Sequence, residues 1–321
     1  MANAGCAMTI CSPAQRVFAL VIRLTFLLLC TAVAPRAIPA LAASAGSHPV
    51  LKFEQEFRDY TASIYRDDLG CGGSYVEIRQ ARKLVYTSHN LCRASMRVGG
   101  LDPGDPDDRL IAAGTDITGD GQPDLVVTGY SGGANCCLNF YIFELGRRFR
   151  VIGVIDALDD DHESPHFVRL EPGTGRQIVI RDWTFAGWHA SFADSPAPLV
   201  FLHYRDGSYR LSGDLMRESA PAIALLESKA ERVKLDAMAA NEDTPVASWP
   251  SGSLPSELWG TMLDLIYSGH ADLGWKFLEL AWPRNVAGKD RFLGDFKRQL
   301  ESSRFWPEVR AMQSALGGGK D

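Results

Sequence analysis

Asp116-Ile117-Thr118-Gly119-Asp120-Gly121-Gln122-Pro123-Asp124-Leu125-Val126-Val127 is the stretch around which the chain is organised. Oxygen-bearing side chains recur there at every second position, around Gly121, and the segment runs directly into an apolar triplet. A hard cation such as Ca²⁺ takes oxygen ligands, and alternate positions of a short segment wrap it while a glycine permits the sharp turn between them. Asp116, Asp120 and Asp124 would supply carboxylates, Thr118 a hydroxyl directly or through water, and Gln122 its main-chain carbonyl. The loop is not an EF-hand: counting Asp116 as first, the twelfth position is Val127, where such loops place a bidentate glutamate, and no helix pattern follows. The other reading of the aspartates is a solvated β-turn without metal.

Outward from the loop the pattern is that of strands. Upstream, Tyr75-Val76-Glu77-Ile78-Arg79 and Leu84-Val85-Tyr86, with a short polar break between them, predict a hairpin. Leu110 to Ala113, Asp124 to Thr128, Phe140 to Leu145 and Phe149 to Ile155 are further expected strands, with Gly146-Arg147-Arg148 as the turn joining the last two. Leu101 to Asp108, with its prolines and aspartates, is expected as a loop. A second copy of the arrangement follows after about 50 to 60 residues, in the range of propeller-blade repeats. Gly173 to Trp183 parallels the segment from Gly119, Leu199-Val200-Phe201-Leu202 answers Tyr141 to Glu144, and Ser208-Tyr209-Arg210-Leu211 answers Phe149-Arg150-Val151. This copy has lost the aspartates.

The Gly114 to Val127 segment resembles the DxDxDGxxD loops of integrin-like FG-GAP and VCBS repeats, in which the loop leads straight into a blade strand, with Thr118 at the position usually held by an acid or amide. Phe149 to Leu211 extends the resemblance weakly. It implies a structural metal and a fold serving adhesion or extracellular binding, with a protein or glycan as partner. A full propeller needs more blades than about 170 residues provide, so a partial propeller, a small sandwich or part of an assembly is expected.

From about Ser212 the period changes. Pro221 to Ala240 predicts one helix, and Ser256 to Tyr267, Ala271 to Ala281, Lys289 to Ser302 and Trp306 to Leu316 predict shorter ones, divided at Ser268-Gly269, Pro283 and Phe305-Trp306-Pro307. Asn241 to Pro255, rich in Pro, Ser and Gly, is expected as a linker. The expected class is therefore α+β, an antiparallel β domain over 51–212 followed by a helical region over 213–321.

The chain has 321 residues and a formal net charge of -6, with its Lys and Arg dispersed, which argues against a nucleic-acid partner. Arg16 and Arg23 flank and interrupt an apolar run from Val17 to Ala34, and Ala40-Leu41-Ala42 supplies an A-x-A site. A cleaved secretory leader over 1–42, a short polar linker over 43–50, and export to the periplasm or the extracellular space follow as expectations, with no membrane span left after cleavage. Cys71, Cys92, Cys136 and Cys137 then remain, an even number in an exported chain, and disulfides are expected. Cys71 with Cys92 beside a vicinal Cys136–Cys137 bridge is one pairing; distant partners for each of Cys136 and Cys137, on opposite faces of a strand, is the other.

Catalytic readings centre on Ser131 in Gly129-Tyr130-Ser131-Gly132-Gly133, which fits G-x-S-x-G, with His89 as the nearest histidine upstream. A nucleophile elbow must enter a helix, whereas Leu138 to Phe143 predicts a strand, so the glycines are expected to form a turn. Asp156, Asp159, Asp160, Asp161, His162, Glu163 and His166 are either a second metal site or a solvated loop; they follow no ligand spacing, so a loop is expected. Trp183, Phe185, Trp188, His189 and Phe192 form either core or, if exposed, a platform for a glycan or protein. The expected function is a non-catalytic binding or scaffolding module, with an envelope hydrolase near Ser131 or Trp183–His189 as the competing class.

Overall fold

The structure, a computed structural model, describes residues 49–66, 74–88, 91, 93–96, 100–101, 111–133, 136–159, 166–170, 175–241 and 247–317. The expected leader, Cys71, Cys92, His89, most of the 101–108 loop and the acidic residues 160–163 lie outside the described residues.

Three antiparallel meanders come first. β1 (Val50–Phe57), β2 (Tyr60–Arg66), β3 (Tyr75–Gln80) and β4 (Lys83–Ser88) pair in chain order. β5 is the two-residue strand Gly100–Leu101. β6 (Asp124–Gly133), β7 (Cys136–Leu145) and β8 (Phe149–Leu158) form the second sheet, again in chain order. β9 (Phe167–Val168), β10 (Gln177–Arg181), β11 (Leu199–Arg205) and β12 (Ser208–Leu211) form the third, with β5 parallel to β9 at its edge. The segment read as a second copy thus folds as a meander, β10-β11-β12, of the same course as β6-β7-β8.

Alternation explains how the sheets stack. On β6 and β7, Leu125, Val127, Phe143 and Leu145 join a core with Tyr60, Ile64, Val76 and Ile78 of the first sheet. Their neighbours Val126, Phe140 and Ile142 point the other way and join a second core with Ile178, Ile180, Val200 and Leu202. The β6–β8 sheet is a middle layer with both faces covered, which is why its first strand reads as an unbroken apolar run rather than as alternation. Tyr60, at the start of β2, donates its hydroxyl to the Gly146 carbonyl of the β7–β8 turn at 2.8 Å, pinning the first layer to the second.

The helices close the other side of the second core. α1 (Gly213–Met216) is a single turn, and α2 (Ile223–Ala240) buries Leu226, Ala230, Val233 and Ala237, spaced by three and four residues along one face. α3 (Glu257–Tyr267), α4 (Ala271–Ala281), α5 (Lys289–Glu301) and α6 (Trp306–Gly317) follow. Trp259, Ile266, Phe277, Phe292, Phe296 and Val309 belong to the same buried cluster as the strand residues Phe140, Ile180 and Val200. The class is α+β: antiparallel sheets followed by a helical region.

Two local expectations need correction. Ile111 to Ala113 is not a strand; the chain turns there, Thr115 N–H donating to the Ala112 carbonyl at 3.1 Å, so that Gly114 N–H can reach the Asp124 carbonyl at 2.7 Å and open the loop. Gly129 to Gly133 is not a turn but the end of β6, with a register shift after Tyr130. Within Asn241 to Pro255 the described ends are anchored. Asn241 donates to the carbonyls of Ala237 and Ser253 at 2.6 and 2.7 Å, and β13 (Ala247–Ser248) pairs in parallel with β14 (Val286–Ala287).

Candidate metal loop and its surroundings

The 116–124 loop is folded by its own carboxylates. Asp116 accepts from Gly119 N–H at 2.7 Å through Oδ1 and from Gly121 N–H at 2.9 Å through Oδ2; Asp120 Oδ1 accepts from Gln122 N–H at 2.9 Å. These are the short-range turns that Asp forms with amides two to five residues on. Gly121 sits at φ +82° with open space beside its Cα, so the conformation itself requires glycine there.

Asp124 is different from the other two. Its side chain is 1% exposed, and Oδ2 accepts from the N–H groups of Ile117 and Thr118 at 2.9 and 3.0 Å and from the Thr118 hydroxyl at 3.0 Å. Its Oδ1 is buried without a hydrogen-bond partner. Burial is the largest influence on this carboxyl and pushes its pKa up to about 7, against the opposing pull of the Thr118 and Ile117 hydrogen bonds. A buried carboxylate with one idle oxygen is a costly arrangement unless something positive or a donor occupies it.

The rest of the surroundings come from β8, the start of β10 and β12. Arg176 N–H donates to the Ile117 carbonyl at 2.6 Å, and the Tyr209 hydroxyl of β12 donates to the carbonyls of Ile117 and Arg176 at 3.1 and 3.3 Å. Burial holds the Tyr209 phenol well above its usual pKa, with Asp124 reinforcing the effect, so it stays a donor. Arg150 of β8 spans Glu144 at 2.5 Å, the Tyr204 hydroxyl at 2.9 Å and Asp120 at 3.6 Å. A Cβ on Gly175 would lie 2.3 Å from the Thr118 carbonyl carbon, closer than real contacts allow. Replacing Gly175 by Ala is therefore expected to destabilise the protein by about 1–3 kcal/mol through overpacking. An unchanged denaturant midpoint would rule out this close approach of Gly175 to the loop.

Among the described residues no group of three or more His, Cys, Asp and Glu side chains is gathered tightly enough to hold a metal ion. The loop nevertheless fits a hard cation by its chemistry: its donor atoms are all oxygens, and one of them, Asp124 Oδ1, is buried and unused. Gln122, whose main-chain carbonyl was the fourth candidate, is exposed beside Gly121, and its side chain approaches the β7–β8 turn at Gly146.

The other candidates separate. Trp188 is half-buried within a cage of Phe185, Trp249, Trp259, Phe292 and Phe296, with ring centroids 5.1–6.2 Å away. Trp183 stacks on Phe192 at 5.2 Å, both half-buried, and His189 is exposed with its ring 4.3 Å from that of Trp249. Asp182 anchors this segment from beneath, accepting from Tyr267 and Ser303 hydroxyls at 2.5 Å each. Cys137 is disulfide-bonded; Cys71, Cys92 and the Cys136 side chain lie outside the described residues. His166 is a core residue, 6% exposed, donating Nδ1–H to the Val179 carbonyl at 2.9 Å. Ser131 faces a small cavity of ≈110 Å³ with Leu91, Tyr130, Cys137, Asn139 and Tyr141, and none of the described residues lining it is a histidine or an acid.

Sequence reasoning did not find the Arg150 and Tyr209 contacts with the loop. Both residues sit on the third strand of a meander, and β8 and β12 touch each other, a contact between distant segments that local periodicity does not announce. Compared with protein-family models, with curated proteins and with solved structures, the chain has no match.

Proposed function

We propose that the chain is an exported, calcium-stabilised β-repeat protein that works as a non-catalytic binding or scaffolding module in the periplasm or outside the cell. The observation that carries this reading is the idle, buried Oδ1 of Asp124 at the last position of an all-oxygen loop that opens the central sheet. Asp116, Asp120 and Asp124 would hold the ion, with Thr118 and the Gln122 carbonyl completing the set, and the ion would neutralise carboxylates that otherwise crowd one turn. Export is supported by the leader-like residues 1–42 and by the disulfide at Cys137. Among the described residues no helix is long and apolar enough to cross a membrane.

On this reading the partner is a protein or a glycan, and the half-buried Trp183–Phe192 stack and the exposed His189 of the same β10–β11 segment are a candidate platform for it. Hydrolysis at Ser131 has less support, because the serine lies on a strand and its cavity brings it no base among the described residues.

Calcium titration of chelator-stripped protein tests the reading, with Asp120→Ala beside it. Saturable binding and a stabilisation of about 2.7 kcal/mol at a hundredfold excess over Kd are expected, both lost in the variant. A melting temperature indifferent to chelator would overturn it.

A further inference from the structure

Arg150 of β8 is where the body of the protein meets the 116–124 loop with a positive charge. Its Nη2 lies 3.6 Å from Asp120 Oδ2, and among the described residues no other lysine or arginine lies within ion-pair distance of Asp116, Asp120 or Asp124. The remaining loop oxygens are taken or enclosed. Both oxygens of Asp116 and Oδ1 of Asp120 accept from main-chain amides, Asp124 Oδ2 accepts from Ile117 and Thr118, and Asp124 Oδ1 is buried. Asp120 Oδ2 is therefore the oxygen that Arg150 and a cation in the loop would share.

The arginine is tied in place by groups outside the loop. It stands directly opposite Glu144 across the β7–β8 hairpin and pairs with it at 2.5 Å, and the Glu144 side chain is only 13% exposed. It also donates to the Tyr204 hydroxyl of β11 at 2.9 Å. The Tyr204 ring packs 5.7 Å from that of Tyr209, whose hydroxyl holds the Ile117 carbonyl. Swinging the guanidinium away from Asp120 would break the Glu144 pair and leave a mostly covered carboxylate without its counter-charge.

One fixed positive charge here has two effects of opposite sign. With the loop empty, the guanidinium offsets the mutual repulsion of the aspartates. With a divalent cation present, the same guanidinium repels it at short range. Calcium sites are tuned over several decades by the charge gathered around the ion. Resting on the calcium reading above, we propose that Arg150 is a built-in counter-cation that stabilises the empty loop and lowers its affinity for calcium, so that the site fills only where the ion is abundant. Extracellular calcium modules work in that regime, with Kd of about 10⁻⁴–10⁻³ M.

Calorimetric calcium titration of the chelator-stripped full chain, paired with thermal melting in chelator, tests this on Arg150→Met, Arg150→Gln and Arg150→Lys. Gln keeps a donor for Glu144, so a neutral variant remains if the Met variant does not fold. The neutral variants should bind calcium about tenfold more tightly than the unaltered chain at low ionic strength. Because Arg150 is half-exposed, salt at about 0.5 M should cut that gain to roughly threefold or less. In chelator these variants should melt below the unaltered chain, and saturating calcium should narrow the gap. Arg150→Lys keeps the charge and should stay within about twofold of the unaltered chain. An arginine with a purely structural role would instead weaken calcium binding when removed. That result, or an affinity the neutral variants leave unchanged, or a Lys variant that matches them, would overturn the proposal and leave the calcium reading standing. Absence of calcium binding from the unaltered chain and every variant would overturn both.

Discussion

In chelator, lowering the pH from 8 to 5 should stabilise the protein by about 3 kcal/mol through Asp124 alone. The group's folded pKa is raised to about 7 from 3.8 in the unfolded chain, chiefly by burial. A carboxyl raised in this way binds its proton more tightly in the folded state, so its contribution is fully present below the unfolded value and is lost as the pH rises through 7. Over the whole window the difference is on the order of 4 kcal/mol. Asp124→Asn separates this from every other titrating group: the amide oxygen can still accept from Ile117 and Thr118, but the residue no longer ionises. The difference between the two unfolding profiles should shrink by about 3 kcal/mol across that range, and parallel profiles would refute the assignment. A cation bound at the loop reverses the preference, because it favours the carboxylate. Calcium should therefore stabilise most at pH 8 and least at pH 5, a dependence opposite to that of the chelated protein.

Phe296→Ala should cost about 3–5 kcal/mol, the usual range for emptying a fully buried aromatic site. Phe296 is 0% exposed on α5, and its ring lies 5.1 Å from Phe185, 6.0 Å from Trp275 and 6.2 Å from Trp188. Phe185 and Trp188 belong to the segment between β10 and β11, so the cavity would open where the third sheet meets the helices. The further expectation is that strand and helix signals disappear together in one transition, since Phe140 of the middle sheet and Phe277 of α4 sit in one continuous cluster. Two separated transitions in circular dichroism and tryptophan fluorescence, with only the later one unaffected by the substitution, would show two independently folding parts instead.

Much of this architecture is legible in the residues because local periodicity and tertiary role agree. The hairpin of β3 and β4, the three strands from Asp124 to Leu158 and the five helices from Ile223 onward all carry their own pattern, and turn or breaker residues mark their ends. The third sheet was legible only by comparison with the second, since Gln177–Arg181 is a short run that periodicity alone leaves ambiguous. The apolar Ile111 misled for a related reason: it is buried at 5% exposure, but by a turn entering the loop rather than by a ladder. Gly129 to Gly133 misled in the opposite sense, as glycines normally punctuate, whereas here they extend a strand past a register shift. Within the 116–124 loop, the spacing marked Asp124 as one of three equivalent aspartates. Only the fold distinguishes it, burying its side chain under a loop whose Ile117 carbonyl is held by Arg176 and Tyr209, 52 and 85 positions downstream of Asp124.

Asp124 is both the last residue of the loop and the first of β6. Side chains on a strand alternate between faces, so a slip of one residue would send Leu125 and Val127 into the core meant for Val126 and exchange the contents of two cores at once. A sheet with one wet face could absorb such an error at the cost of one core, whereas the middle layer has no neutral side on which to lose it. The spacing from Ile117 and Thr118, whose N–H groups grip the Asp124 carboxylate, to the first apolar residue thus acts as a ruler for register. Insertions or deletions inside 117–124 would be felt first as mispaired strands, far from the loop in which they occur.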